Sequence, residues 1–486
     1  MKKTLSLVLA LMMLFSLLPA AVAETEEHEP VTLTFGGWGN YFVNMEMIEG
    51  FEAKYPWINV EYVSPMDSSL MAADLMRLAA EGKMPDVFNI EYPYTAFKNE
   101  WCYDMRELFE NDPDSANYPE WLLNYCTVNG KLIALVNTLY AFGIELNTSL
   151  LEENNIPVPG YDWTVEDWAE IARQLTVKGQ SVGMEEIEDF MAYIIPQFDP
   201  EMGVYGYDDK NHAWHESDII TEAFDLFDGL VQDGAALNNY MFGNIGEEGD
   251  SDEVDAARAT YMAETLGASD NLWLRGKVGM RVNASWNLAW PMNNDGLYSG
   301  FEWDFYPFPS GIDGEQGRSV LLNEYLCISA TCKHPEEAYL LIKYLSFDME
   351  GYERRVDAML NYDREAIMAK YPEIDPAYIS NAVVSYQMAP SNDERALEIF
   401  QRLINASGMD GLKSIFDKRN DNAMLDPQRY ALEWWNCYYT TGWWFDDFMA
   451  TGMYDAATTM SQMITYNQQV TERAQKTYNV TYGYEK

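Results

Sequence analysis

Basic residues are scarce in this 486-residue chain, where 31 Lys and Arg stand against 78 Asp and Glu. Phosphate binding depends on clustered Lys and Arg, so nucleic acid and anionic membrane surfaces are poor partners for such a chain. Cysteine is sparser still. Cys102, Cys126, Cys327, Cys332 and Cys437 are odd in number and form neither a C-x-x-C nor a zinc-ligand spacing, so at least one is free or paired between molecules. Cys102 with Cys126, or Cys327 with Cys332, could bridge; the alternative is buried apolar thiols. Signatures of catalysis and cofactor binding are missing as well. The chain has no G-x-S-x-G, H-E-x-x-H, G-x-x-x-x-G-K-[ST] or G-x-G-x-x-G, and no cofactor is expected. Beyond residue 23 no stretch is long and apolar enough to span a bilayer.

The first 23 residues read as a Sec signal peptide: Lys2 and Lys3, an apolar run from Leu5 to Leu18, then Pro19 and Ala21-Val22-Ala23 before Glu24. A membrane anchor needs about 20 apolar residues, and Pro19 interrupts this run early. With no cysteine near the cleavage site, a lipid-anchored form is not supported, so the expected location is periplasmic or extracellular. Removing residues 1–23 leaves 29 basic against 78 acidic side chains.

The remainder has a globular composition, 48% hydrophobic and 14% aromatic, and a length that suggests two or three domains. Val31 to Gly36 reads as a strand ending in Gly36-Gly37-Trp38-Gly39. Ile48, Phe51 and Tyr55 mark a helix stopped by Pro56, and Ile58 to Val63 a second strand. Met71, Leu75 and Leu78 line a second helix closed at Gly82, and Asp86 to Ile90 is a third strand. Strands alternating with helices over so short a span pair in parallel through crossovers. Further on, Thr164-Val165-Glu166-Asp167 opens a helix as a capping box with Trp168, Ile171 and Leu175 facing inward. Ser217 caps another whose stripe is Ile220, Phe224, Phe227 and Val231, and Pro335 starts one that buries Ala338, Leu341, Ile342 and Leu345. The acidic stretch Gly246 to Asp255 reads as a solvated loop, and the last 100 residues as mainly helical.

Five segments in order resemble the sugar-binding group of extracellular solute-binding proteins of ATP-binding-cassette importers, which includes the maltodextrin-binding proteins. They are Phe51-Glu52-Ala53-Lys54-Tyr55-Pro56-Trp57-Ile58-Asn59-Val60, and Ala79-Ala80-Glu81-Gly82-Lys83-Met84-Pro85-Asp86-Val87. The third runs from Gly130-Lys131-Leu132-Ile133-Ala134-Leu135 through Ile144-Glu145-Leu146-Asn147 to Trp163-Thr164-Val165-Glu166-Asp167. The fourth is Gly276-Lys277-Val278-Gly279-Met280 with Ser285-Trp286. The fifth is Cys327-Ile328-Ser329-Ala330 with Lys333-His334-Pro335-Glu336-Glu337-Ala338. The family's Tyr-Tyr-Asn is Glu145-Leu146-Asn147 here, its Gly-Gly is replaced by Asn323-Glu324-Tyr325, and the stretch beyond Pro372 is longer and richer in tryptophan.

The resemblance implies a periplasmic-binding-protein-like α/β fold of two lobes, with a hinge and an interlobe ligand cleft. Lobe one would span 24–139 plus 325–363, and lobe two 142–323 plus 372–486. A sugar offers apolar C–H faces and a rim of hydroxyls, so its site needs aromatic plates beside carboxylates or amides. Trp38 and Asn40 after the first strand, and Glu91 and Tyr92 after the third, occupy strand-end loops where open α/β sheets place ligands. Trp286 matches the position where the family stacks an aromatic on the sugar, with Asn287 beside it. Tyr140 lies at one expected hinge crossing, Asn323 and Glu324 at the other. The tryptophan pairs 434–435 and 443–444 are read as core before ligand platform. His212 and His215 beside Asp208 and Asp209 lack a third placed metal ligand and are read as solvated loop.

The expected function is capture of a sugar or oligosaccharide by a monomer that hands it to membrane permease subunits, without turnover. A secreted carbohydrate-active enzyme remains the alternative, because carboxylate pairs at glycosidase spacing are possible among so many acids. A carbohydrate sensor or adhesin is the third class.

Overall fold

In the computed structural model, residues 28–483 are described apart from 64–70, 200–201, 209–210, 215–217, 238–250, 268–270, 294–297, 313, 373–375, 377–378, 421–422, 435 and 438–455. The leader, the Ser217 cap, His215, Trp435, Trp443 and Trp444 lie outside the described residues.

The N-terminal region follows its periodicity. Strand β1 (Val31–Gly36) buries Val31, Leu33 and Phe35. Helix α1 (Tyr41–Lys54) turns Met47, Ile48 and Phe51 inward, strand β2 (Ile58–Val63) returns, and helix α2 (Met71–Ala80) precedes strand β3 (Val87–Ile90). Both β2 and β3 pair with β1 in parallel. Gly82, at φ +69°, takes the left-handed conformation that a helix-ending glycine supplies without steric cost.

Two long strands carry the chain across the molecule. Strand β4 (Leu135–Asn147) and, much later, strand β7 (Ser319–Ile328) lie antiparallel to each other. Strand β5 (Val278–Ala284) and strand β6 (Trp303–Tyr306) pair with the second half of β4, at Phe142–Leu146 and Ile144–Asn147. The second half of β7 pairs with β3 instead. Among the described strands, one set, β2, β1, β3 and the end of β7, is thereby joined in the sheet to another, β5, β6 and the end of β4, through these two runs. Both are buried almost throughout, as strands covered on two faces must be.

The second set is flanked by helix α3 (Val165–Gln174), where Asp167 N donates to Thr164 Oγ1 at 3.1 Å and Thr164 N to Asp167 Oδ2 at 2.9 Å, the reciprocal cap read from the sequence. Helix α4 (Ile187–Phe198) and helix α5 (Asp218–Gln232) pack beside it, the latter burying Ile220, Phe224 and Phe227. Helix α6 (Pro335–Leu345) returns to the first set with Ala338, Leu341, Ile342 and Leu345 buried, followed by helix α7 (Met349–Leu360).

One expectation needs correction. The acidic stretch is not all loop: residues 251–255 open a helix, Ser251–Leu266, a run that contains neither glycine nor proline. The described part of the last 100 residues is mainly helical, with helices at Glu394–Ser407, Asp410–Asp417 and Ala456–Tyr478, and strand β8 (Ala423–Leu425) extends the sheet beside β7. None of the five cysteines, all of them among the described residues, is in a disulfide. Burial pushes Cys126 and Cys437 up to about 12, which leaves them inert. Among the described residues no helix is long and apolar enough to cross a membrane.

Candidate functional site

A cavity of about 520 Å³ opens at the carboxyl ends of β1 and β3, where they meet the crossing strands. The turn after β1 is built for close approach. A Cβ on Gly37 would lie 2.7 Å from the Phe35 ring and 2.9 Å from Asn89 Oδ1, so only glycine fits, and Gly39 sits at φ +93°. That turn projects Trp38 into the cavity wall. Asn40 also borders the cavity, yet its Oδ1 accepts from Phe42 N at 3.0 Å and Val43 N at 3.3 Å, so its first duty is capping α1.

The crossing strands form the floor. Strand alternation puts Leu322 and Glu324 on the cavity side of β7 and sends Asn323, fully buried, to the opposite face. Opposite Glu324 the register slips: Glu324 faces Thr138 but Tyr325 faces Val136, so Asn137 has no partner. This β-bulge sets both Asn137 and Thr138 against the cavity, where regular alternation would have offered one. Arg355 of α7 lies buried beneath and donates to Thr138 Oγ1 at 2.9 Å and Gln387 Oε1 at 3.1 Å. Burial raises the Glu324 carboxyl above the usual range, while Trp38, Arg429 and Arg355 pull it back.

The far wall is aromatic. Trp286 meets Tyr140 edge-on with ring centroids 5.4 Å apart and an interplanar angle of 79°, and meets Phe142 in the same way. Ser285 fixes the turn that carries it: its Oγ accepts from Ala141 N at 3.0 Å and donates to Tyr386 O at 2.5 Å, tying the turn to β4. Tyr140 is raised above the usual phenol range, by burial first and by Glu324 second.

Of the nine residues singled out in the sequence, Trp38, Asn40, Glu91, Tyr140, Trp286 and Glu324 border this one cavity. The other three do not. Tyr92 turns away and donates its hydroxyl to Ala431 O, Asn287 is exposed on a turn, and Asn323 is on the wrong strand face. Sequence reasoning missed Asn137, Thr138, Arg355, Gln387 and Arg429. Alternation along β7 could have separated Asn323 from Glu324; nothing local signals the bulge or the distant Arg355 and Arg429.

Glu91 and Glu324 face Arg355 and Arg429 in the cavity, two charges against two, in a chain of net charge −47. Rings for apolar faces, amides and hydroxyls for polar rims, and a balanced set of charges suit a neutral polyhydroxylated molecule.

The cavity between two strand sets joined by crossing strands defines a solute-binding protein. The profile of the bacterial extracellular solute-binding proteins matches residues 42–350, and the chain belongs to that family. Three solved structures illustrate the shared fold. An ABC substrate-binding protein from Listeria monocytogenes, in complex with cycloalternan, is 14% identical over 91% of this chain and 99% of its own, with a TM-score of 0.64. The sugar-binding protein MalE from Xanthomonas citri is 14% identical over 92% and 99%, with a TM-score of 0.61. The cyclic α-maltosyl-1,6-maltose binding protein from Arthrobacter globiformis is 12% identical over 91% and 100%, with a TM-score of 0.62. The two-lobed periplasmic-binding-protein fold is therefore that of this chain.

Proposed function

We propose that this protein binds a sugar or short oligosaccharide reversibly in the cavity between its lobes and delivers it to the permease subunits of an ABC importer. The observation that carries the reading is the convergence of Trp38, Tyr140 and Trp286 with Glu324, Thr138 and Gln387 around one cavity of about 520 Å³. Family membership, the cycloalternan complex of one similarly folded protein and the cyclic maltosyl-maltose binding named for another support it. It acts as a monomer, without turnover, after removal of residues 1–23, outside the cytoplasmic membrane. The proposed lobes are 24–139 plus 325–363 and 142–323 plus 372–486, with hinge crossings at Tyr140 and Asn323. Incubation of the purified protein with a glycan panel, read by thermal shift and by product analysis, tests this directly. A saturable rise in unfolding temperature with intact glycan is expected; steady product release would turn the reading to a carbohydrate-active enzyme.

A further inference from the structure

The C-terminal stretch supplies a cavity residue that lies outside the family match, which ends at residue 350. Strand β8 pairs with β7, Asp426 N donates to Leu321 O at 2.8 Å, and the single 3-10 turn Pro427–Arg429 follows. This turn sets the Arg429 side chain, only 13% exposed, against the cavity with Nη1 2.8 Å from Glu91 Oε1. We propose that Arg429 is a specificity-determining residue of the cleft: its guanidinium donates to an oxygen of the bound sugar while Glu91, which orients it, accepts from a neighbouring hydroxyl. This rests on the reading of the cavity as a sugar site.

Unspent donors set Arg429 apart from its neighbours in the cavity. Two guanidinium groups border the cavity, and Arg355 spends its own on Thr138, Gln387 and the carbonyls of Asn137 and Leu345. Two of the lining amides are engaged too, Asn44 Nδ2 by Trp38 O and the Tyr62 hydroxyl, and Asn89 Nδ2 by Tyr325 O. Arg429 differs. Its contact is the Glu91 carboxylate, and its buried Nε has no acceptor in hydrogen-bond geometry. A planar fork of five N–H groups held at one end by a carboxylate keeps donors for a ligand. A sugar's adjacent oxygens supply what the pair lacks, one accepting from the fork and one donating to the carboxylate.

The segment holding Arg429 is anchored on both sides of the cleft, which makes its position reproducible. Tyr92 donates to Ala431 O, Lys98 Nζ lies 3.2 Å from Glu433, and Tyr125 packs on Tyr430 with centroids 4.5 Å apart, all on the first lobe. On the second, Tyr193 donates to Asp426 Oδ2 at 3.3 Å and Trp434 stacks on Trp214. Preorganisation of this kind is what lets a donor discriminate between ligands.

The test titrates Arg429→Ala, Arg429→Gln and Arg429→Lys by calorimetry against a panel of neutral mono- to hexasaccharides, with ligand-free thermal unfolding of each. The member that the unaltered protein binds most tightly should lose about ten- to a hundred-fold in affinity with Arg429→Ala. The order of preference across the panel should change, and Arg429→Lys should recover part of the loss because it keeps charge without the fork. Should Arg429→Ala not fold, the Gln and Lys variants carry the same comparison. Wild-type affinity and preference order in the substituted proteins would overturn this inference and leave the sugar reading standing. If no panel member binds the unaltered protein, the sugar reading falls and this inference with it.

Discussion

The Trp286 ring meets the Tyr140 ring edge-on in one wall of the cavity, at 79° and 5.4 Å between centroids. One ring sits on the turn after β5 and the other on crossing strand β4, so the aromatic wall is assembled across the point where the chain passes between strand sets. An indole left partly exposed in such a wall keeps a face for a sugar's C–H surface. Trp286→Ala should weaken ligand binding by about 1 to 3 kcal/mol, roughly ten- to a hundred-fold. Ligand-free stability should fall by less than the roughly 3 to 5 kcal/mol that truncating a core tryptophan costs. Calorimetric affinity beside denaturant unfolding checks both; unchanged affinity with collapsed stability would make Trp286 a core residue.

Arg355 holds the cavity floor together. Replacing it with Met would leave Thr138 Oγ1 without the Arg355 donor, Gln387 Oε1 with only the longer bond from Thr138 Oγ1 at 3.3 Å, and the buried Glu324 with less opposing charge. Leaving buried acceptors unsatisfied in this way costs about 1 to 3 kcal/mol. Urea unfolding of Arg355→Met without ligand should show a loss of that order, and a change below about 1 kcal/mol would rule out this role.

Glu185 is buried beside Glu186, Arg281, Arg258 and Glu145, with Arg281 Nη1 4.0 Å from its Oε1. Burial first, and Glu186 second, raise its carboxyl from about 4.5 to about 7, against the pull of Arg281 and Arg258. A carboxyl whose folded pKa exceeds its unfolded value binds its proton more tightly when folded. Its contribution is therefore fully present below about pH 4.5 and lost as pH rises to about 7, by up to roughly 3 kcal/mol. Unfolding free energies between pH 4.5 and 8 should show that decline in the parent and a flatter profile in Glu185→Gln. Parallel profiles would contradict it.

Because β4 and β7 both run through the crossing, rotation there should open or close the cavity if it serves as the proposed hinge. The C-terminal chain adds a restraint: Thr481 N donates to Asn129 Oδ1 at 2.6 Å in the proposed first lobe, while the Tyr482 ring stacks on His212 of the proposed second lobe at 3.7 Å. Small-angle scattering should show a reduced radius of gyration at saturating sugar, with a larger ligand-free value when Tyr482 is replaced by Ala. Identical profiles with and without sugar would count against hinge closure.

Much of the fold is local in origin and was readable as such. Val31 to Gly36, Ile58 to Val63, the Thr164 cap and the Pro335 start follow from side-chain periodicity and capping chemistry within a few residues. The glycine-rich turn that presents Trp38, and the loop that presents Glu91, follow equally from sequence, because strand ends of parallel sheets aim their loops at one edge. The partners of those residues do not. Asn137 enters the cavity through a register slip that only the pairing of β4 with β7 creates. Tyr92 and Asn323 read as well as their neighbours, but one turned to bond Ala431 and the other faced the far side of its strand. Arg355 and Arg429 reach the cavity across more than two hundred residues of chain from the turn that presents Trp38. Sequence determined which segments become strands, helices and presenting turns, since those preferences act over a few bonds. Tertiary structure decided which side chains share the cavity, since long-range pairing, strand parity and charge placement exist only once distant segments have packed.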